Sequence, residues 1–326
     1  MCTCTITAAP VMPPVAGVRT RPVSPRRPGP PASRHHLQVT AVVPAEVGRL
    51  VVRCPDRPGL VAAVSEFLAG EGANILSLAQ HATAERDGSF FQRLEFHLPD
   101  LPARLEGLRA RFDTRVATPW AMEARLVATA TPKRVAIMVS RLDHCLLDLL
   151  WRSRRGELDL DVVTVVSNHP YLADAVTSFG IPFHHVPVTA DTKPEAERRQ
   201  AELLAGVDLV VLARYMQIVS GDLLAAVGCP MINIHHSFLP AFVGAVPYRR
   251  AKERGVKLIG ATAHYVTEDL DEGPIIEQDV VRVDHRHSAA DLTRLGADVE
   301  RAVLSRAVRW HGEDRVFRDG STTVVL

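Results

Sequence analysis

The chain has 326 residues, enough for two domains and a sizeable core, and its 38 basic and 37 acidic residues leave a net charge of +1. With 47% hydrophobic and 23% charged residues the composition is that of an ordinary soluble globular protein. This excludes a basic footprint for nucleic acid or a charged membrane surface, and no apolar run approaches the roughly 18 residues a membrane helix needs.

The first acidic residue is Glu46, and before it runs RTRPVSPRRPGPPASRHH. Such a segment buries too little apolar surface to offset its ordering entropy, so residues 1–45 are expected to be a disordered Pro/Arg-rich extension. Its acid-free, Arg-containing character is also that of a transit peptide, but the prolines forbid a long amphipathic helix. Order is expected near Arg49, where RLVVRC reads as a strand. In DRPGLVAAVSEFLAGEGANI, Pro58 suits a first helical turn, Val61, Val64, Phe67 and Leu68 recur at helical spacing, and Gly70 and Gly72 end the helix. NILSLAQHA reads as a strand, DG as a turn, SFFQRLEFHL as an alternating strand, PARLEGLRARF as a second helix and TRVATP as a last strand. The order β-α-β-β-α-β is the ferredoxin-like arrangement. It assigns residues 46–119 to a first domain and 120–132 to a linker.

From Lys133 the pattern changes to strands alternating with helices. RVAIMVS, DVVTVVSN, FHHVPV, DLVVLARY and MINIHH read as strands, with DHCLLDLLWRS and KPEAERRQAELLAG as helices between them. Near-continuous Val/Ile/Leu strands are what a parallel sheet covered on both faces requires, so residues 133–326 are expected to form an α/β domain with a Rossmann-like, mostly parallel sheet. KLIGATAHYVT and PIIEQDVVRV suggest an antiparallel pair, and a long helix around Ala289–Arg309 closes the domain.

Ligands of open α/β sheets bind beyond the carboxyl ends of the strands. Asn233 and His235 sit at such an end and, two apart on a strand, face the same way. An amide can stabilise a developing oxyanion, and an imidazole can move a proton near neutral pH. The bland alternative is a strand-end polar pair satisfied by backbone. Asp271, in TEDLDEGPIIEQ, is the candidate carboxylate to partner His235, or else one more member of a solvated acidic loop. Five cysteines (Cys2, Cys4, Cys54, Cys145 and Cys229), odd in number and without a CxxC pair, fit a reducing, cytoplasmic compartment. Neither these nor His184–His185 and His285/His287 gather a metal-ligand set, so no metal is expected.

The stretch NIHHSFLPAFVGAVPYRRAKERGVKLIGATAHYVTEDLDEGPIIEQ resembles the 10-formyltetrahydrofolate-dependent formyltransferase family, whose signature runs from N-x-H-x-S-x-LP through G-x-T-x-H to L-D-x-G-x-I. The resemblance implies a catalytic set of Asn233, His235 and Asp271. It also implies a folate pocket that uses Met216, Gln217 and Val219 of ARYMQIVS and Val266 and Glu268 of the later loop, with no cofactor beyond the folate substrate. Thr262, His264 and His236 would support the site. Departures from the family's glycinamide ribonucleotide transformylases are VSRLDHCLLDLL in place of a Gly/Asn phosphate loop, His236 in place of a Pro, and Gln217 in place of an Arg. They fit the deformylase branch of the family, which pairs this domain with a small N-terminal ACT domain. The resemblance then implies hydrolysis of 10-formyltetrahydrofolate to formate and tetrahydrofolate, which balances one-carbon pools for purine synthesis. Transfer to an amine acceptor, or a non-catalytic folate- or amino-acid-binding regulator, stay as alternatives. It also implies a homo-oligomer, and an ACT effector such as glycine or methionine bordered by Asp56, Arg57, Gly59 and Asn74.

Overall fold

Alternation along Val47–Pro55 (β1) turns Leu50, Val52 and Cys54 to one buried face. In the computed structural model, residues 44–84, 88–240 and 247–326 are described. The expected extension before residue 44 and the Asp of the DG turn lie outside them. Helix α1 (Leu60–Gly70) presents Leu60, Val64, Phe67 and Leu68 to the same core. Gly59 precedes it at φ 97°, a left-handed turn where a Cβ would meet the Trp120 ring at 3.0 Å. Pro58 therefore lies ahead of the helix rather than in its first turn. Strands β2 (Asn74–Ala82) and β3 (Ser89–His97), helix α2 (Leu101–Phe112) and strand β4 (Glu123–Ala128) follow. The four strands form one antiparallel sheet in the order β2-β3-β1-β4.

Two expectations are corrected here. TRVATP is not a strand: Asp113–Ala117 is a turn of π-helix, and it buries the neighbours Val116 and Ala117. The last strand is β4, inside the segment 120–132 read as a linker, and it pairs with β1 from Gly48↔Ala128 to Arg53↔Glu123. Arg109 Nε donates to the Leu126 carbonyl at 2.7 Å and ties it to α2. Only Leu126 of this strand is fully buried, so its composition reads as a connector.

The second sheet is built from β5 (Lys133–Val139), α3 (His144–Arg154), β6 (Leu160–Ser167), α4 (Ala173–Thr177), β7 (Phe183–His185), α5 (Lys193–Leu203), β8 (Leu209–Ala213), α6 (Gly221–Val227), β9 (Met231–His235), α7 (Pro247–Arg254), β10 (Leu258–Tyr265) and β11 (Ile275–Arg282). Its order is β11-β10-β9-β8-β5-β6-β7. The five strands from β9 to β7 run parallel, and β10 and β11 are antiparallel additions. Strand β8 is buried at every position, as a sheet covered on both faces demands, and separate apolar clusters pack against the two faces. From β5 the chain goes to β6 on one side and later to β8 on the other. Their carboxyl ends flank a topological switch point.

Helix α8 (Ala289–Gly312) starts at a capping box formed by Ser288 and Asp291. It is followed by the hairpin β12 (Val316–Asp319) and β13 (Thr322–Val325). Between helix and hairpin stands Asp314, 5% exposed, which ion-pairs with Arg49 of β1 (2.9 Å), Arg125 of β4 and Lys133 of β5. Phe317 packs on Phe91 with ring centroids 5.2 Å apart. The two sheets are thus joined through a buried charge cluster and an aromatic contact.

Burial would raise the Asp314 carboxyl, but the Lys133 and Arg125 charges outweigh it and hold it down at about 2. A carboxyl depressed on folding contributes stability that is present above the unfolded value of about 3.9 and is lost as pH falls toward the folded value. Asp314→Ala strands two buried cations and should cost about 3–5 kcal/mol. Its denaturation midpoint should also lose part of the parent's decline between about pH 4 and pH 2, which denaturant melts across that range measure.

Candidate active site

The switch point supplies the floor of the site. Parallel pairing sets Leu212 of β8 opposite Asn233 of β9. Antiparallel pairing sets His264 of β10 opposite Asn233, and Thr262 opposite His235. The Asn233 amide nitrogen lies 3.2 Å from His264 Nε2, and His264 Nδ1 lies 2.9 Å from the Tyr265 carbonyl. A carbonyl only accepts, so His264 donates from Nδ1 and offers Nε2 as an acceptor to one of the two Asn233 amide hydrogens. The other amide hydrogen remains for a ligand.

The loop after β10 brings in the carboxylate. Gly273 lies so close to β10 that a Cβ there would fall 1.7 Å from the Tyr265 carbonyl oxygen, so only glycine fits. The Tyr265 N–H donates to the Pro274 carbonyl at 2.9 Å and closes the loop. Asp271 sits at its tip with φ 59°, a left-handed backbone that aspartate tolerates better than most residues. Its Oδ2 lies 3.1 Å from His235 Nδ1, and its Oδ1 lies 3.6 Å from His264 Nε2. Burial opposes ionisation of Asp271, but the hydrogen bond from His235 outweighs it and holds the carboxyl well below the usual carboxylate range. His264 Nε2 is already the acceptor for Asn233, and 3.6 Å is too long for a hydrogen bond, so His235 is the effective partner.

An ionised Asp271 at 3.1 Å fixes the His235 proton on Nδ1. The other nitrogen, Nε2, is buried and has no hydrogen-bond partner among the described residues. It is a proton acceptor held beside the cavity. His236 stacks on His235 with centroids 5.0 Å apart. Burial first, then the charges of Arg214 and His235, push its pKa down to about 4, so it is a neutral imidazole at pH 7.

These groups open into a cavity of about 390 Å³ lined by Asn233, His235, His236, His264 and Asp271, by Met216, Gln217 and Val219 of one loop, and by Val266 and Glu268 of another. Of the supporting residues expected from sequence, Thr262 alone is not in the lining. Its hydroxyl accepts from the Leu239 N–H (3.0 Å) and from Gln278 Nε2 (2.9 Å), and donates to the Ser237 carbonyl (2.9 Å). It fastens the loop that follows His236. Ser140 Oγ accepts from the Met216 N–H at 2.9 Å and donates to Asn168 at 2.7 Å, which holds the Met216 wall to the ends of β5 and β6.

Beside the cavity lies a buried network that the sequence did not disclose. Glu300 of α8, 1% exposed, is hydrogen-bonded by His144 of α3 (2.7 Å) and by the Tyr248 hydroxyl of α7 (2.7 Å), and Arg214 lies 3.4 Å away. Burial opposes the Glu300 charge, but His144 and Arg214 outweigh it and keep the carboxyl below its ordinary value. His144, Cys145 and Glu300 place ligand atoms within 4.8 Å of one another. The adjacent Arg214 cation and a thiol pushed well up by burial make poor surroundings for a metal ion. The one available clue was the register: Arg214 lies as far beyond Leu212 as His235 lies beyond Asn233.

In the first domain, a second cavity of about 620 Å³ is lined by Asp56, Arg57 and Gly59 together with Gln80 and His81. Asn74 is not among its lining residues: it starts β2, after the far end of α1. Arg57 lies over the Trp120 ring at 4.5 Å and donates to the Pro119 carbonyl.

Comparison with known proteins agrees with both halves. The family described as Formyl transferase matches residues 133–308, and the ACT domain family matches residues 48–112. The chain therefore belongs to the formyl transferase family, with an ACT domain ahead of the transferase fold. Within that family it groups with the formyltetrahydrofolate deformylases. The formyltetrahydrofolate deformylase of Mycobacterium tuberculosis is 65% identical over 283 residues, covering 86% of this chain and 91% of that protein. The crystal structure of a formyltetrahydrofolate deformylase from Pseudomonas syringae pv. tomato superposes with a TM-score of 0.82 at 49% identity, covering 86% of this chain and 94% of that one. Glycinamide ribonucleotide transformylase 1 from Symbiobacterium toebii is similar over 60% of this chain and 94% of its own, at 34% identity and a TM-score of 0.57.

Gly273→Ala should displace Asp271 from His235 and lower kcat by about 10²-fold or more, since misplacement near 1 Å costs that much. The core should melt close to the parent temperature. Parallel thermal melts and turnover assays test both halves of this expectation.

Proposed function

We propose that the chain hydrolyses 10-formyltetrahydrofolate to formate and tetrahydrofolate. The observation that carries this reading is His235, anchored by Asp271 at Nδ1 and unpartnered at a buried Nε2 beside the cavity. That nitrogen takes a proton from water as the water oxygen attacks the formyl carbon. Asn233 directs its free amide hydrogen at the oxygen that becomes negative. His235 then returns the proton to N10 as the C–N bond breaks. Asp271 stabilises the transient imidazolium, and its Oδ1 holds the attacking water. The exposed apolar side chains of Met216, Ile218 and Leu270 at the cavity rim suit the flat face of a pterin. The reaction is redox-neutral, because the formyl carbon already stands at the oxidation level of formate.

The ACT half fits an amino-acid effector, with glycine and methionine as the candidates, held in the cavity beside Arg57. It also fits a homo-oligomer. Strand β2 is an edge strand that exposes Leu76 (43%) and Leu78 (42%), a surface a second copy would cover. Among the described residues no helix is long and apolar enough to cross a membrane. We place the reaction in the cytoplasm, where the free thiols of Cys54, Cys145 and Cys229 are stable.

Incubation with 10-formyltetrahydrofolate alone should release formate; turnover that appears only with an amine acceptor would make the chain a transferase. Asp271→Asn and His235→Ala should each lower kcat by about 10²–10⁴-fold, and Asn233→Ala by about 10²–10³-fold. The asparagine amide would present an N–H where His235 needs an acceptor, so the proton would move to Nε2 and remove the base. Wild-type turnover by Asp271→Asn would refute the assignment. Leu78→Lys should dissociate the oligomer, as sedimentation velocity would show; an unchanged sedimentation coefficient would place the interface elsewhere.

A further inference from the structure

Arg214 stands immediately beyond β8 with φ 62°, a backbone that glycine adopts more readily than arginine. Its side chain lines the cavity and is only 10% exposed. Nε and Nη1 are buried and hydrogen-bond to nothing among the described residues. The nearest acid is ion-paired with Arg214 but not hydrogen-bonded to it. Glu300 Oε2 is 3.4 Å from Nε but out of hydrogen-bond alignment, and both Glu300 oxygens are taken, by His144 and by Tyr248. A buried guanidinium with unmet donors is costly unless an anion completes it.

The remaining charge in the cavity runs the other way. Glu268, Asp269 and Asp271 line it, and Arg214 is the single Lys or Arg among its described lining residues. Hydrolysis creates a new anion in this acidic setting. The water oxygen bonds to the formyl carbon, the C–N10 bond breaks, N10 takes a proton, and the one-carbon acid leaves as formate and a proton. We propose that Arg214 is the formate-binding residue, receiving the product carboxylate on N–H groups that make no hydrogen bond among the described residues. This rests on the hydrolytic reading above. It explains why a strained arginine occupies a position suited to glycine: the side chain opposes three acids where a carboxylate is formed. The same contact grips the formyl oxygen increasingly as it gains charge, so Arg214 also helps position the attacked group.

The test uses the full chain and carbon-13-labelled formate. The parent protein should broaden the formate resonance saturably, and excess unlabelled formate should restore it. Arg214→Gln should weaken binding by about tenfold or more, and Arg214→Lys should retain part of it, because charge-assisted hydrogen bonds supply the affinity. Formate as a product inhibitor should weaken in parallel, while inhibition by tetrahydrofolate moves less. Equal formate binding in parent and Arg214→Gln, or no saturable binding in the parent, overturns the proposal. If the glutamine variant fails to fold, crystals of the parent soaked in formate decide. A formate oxygen within hydrogen-bond distance of Arg214 Nε or Nη1 supports the proposal, and formate elsewhere in the cavity or absent from it overturns it. These measurements use formate alone. They judge Arg214 even in a preparation that releases no formate from 10-formyltetrahydrofolate, the result that would sink the hydrolytic reading instead.

Discussion

The contact between His235 Nδ1 and Asp271 Oδ2 at 3.1 Å is the constraint on which the site depends. It spans two kinds of structure. His235 ends a parallel strand, where its ring is set by the sheet, whereas Asp271 rides a loop leaving an antiparallel one. The loop reaches the strand end only because Gly273 has no Cβ and Asp271 accepts a left-handed backbone. Strain of order 1–3 kcal/mol at such a residue persists when its surroundings over-determine it. Here they do, through the Tyr265–Pro274 backbone hydrogen bond and the carboxylate–imidazole contact. In return the proton of His235 has one location, and the opposite nitrogen is left as a base.

The same logic accounts for the buried polar groups around the cavity. His264 donates to a carbonyl and accepts from Asn233, which fixes the orientation of the amide without involving a charge. His236 is kept neutral by burial and by Arg214, so it adds no positive charge beside His235. Glu300 is satisfied by His144 and Tyr248, drawn from two other helices, and this closes the wall behind the site. At the place where the family resemblance sets a Gly/Asn phosphate loop as the expectation for a transformylase, this chain has helix α3 beginning at His144, tied to a buried carboxylate. Without a run of glycine N–H groups there, a phosphate finds no backbone cradle, a physical reason for hydrolysis over transfer to a phosphorylated amine.

Much of the fold was legible because the periodicities were clean. The apolar strands β5, β6, β8 and β9 and the long helix α8 stand where their patterns indicate, since burial on both faces leaves no room for polar interruption. The misreadings occur where local composition competes with tertiary context. β4 carries Glu123 and Arg125 and is mostly solvent-facing, so nothing in its pattern separates it from a connector. TRVATP is β-branched, yet it is wound into a π-turn that buries adjacent residues. In the site, strand alternation put Asn233 and His235 on one face but left a strand-end polar pair as the alternative; the family motif supplied their role and that of Asp271, whose approach depends on a loop. Arg214 and Glu300 were invisible for a different reason. They lie far apart in sequence and meet only because α8 packs across the sheet.

Helix α8 also runs from the cavity wall to the junction of the two sheets. Its middle carries Glu300, in contact with the wall of the cavity. Its last turn offers the His311 carbonyl to Lys133 and the Gly312 carbonyl to Lys133 and Arg49, just before Asp314 gathers Arg49, Arg125 and Lys133. Arg49 and Arg125 belong to strands β1 and β4 of the first sheet, and β4 begins three residues after Trp120, against which Arg57 of the first-domain cavity is stacked. A shift of β4 on filling that cavity would move Arg125 relative to Asp314 and so act on the charge cluster. Contiguity alone is not coupling, which requires two arrangements that both sites bias. The buried cluster is suited to be that element. Its two buried cations, Arg49 and Lys133, cannot leave Asp314 without stranding charge, so intermediate displacements are disfavoured.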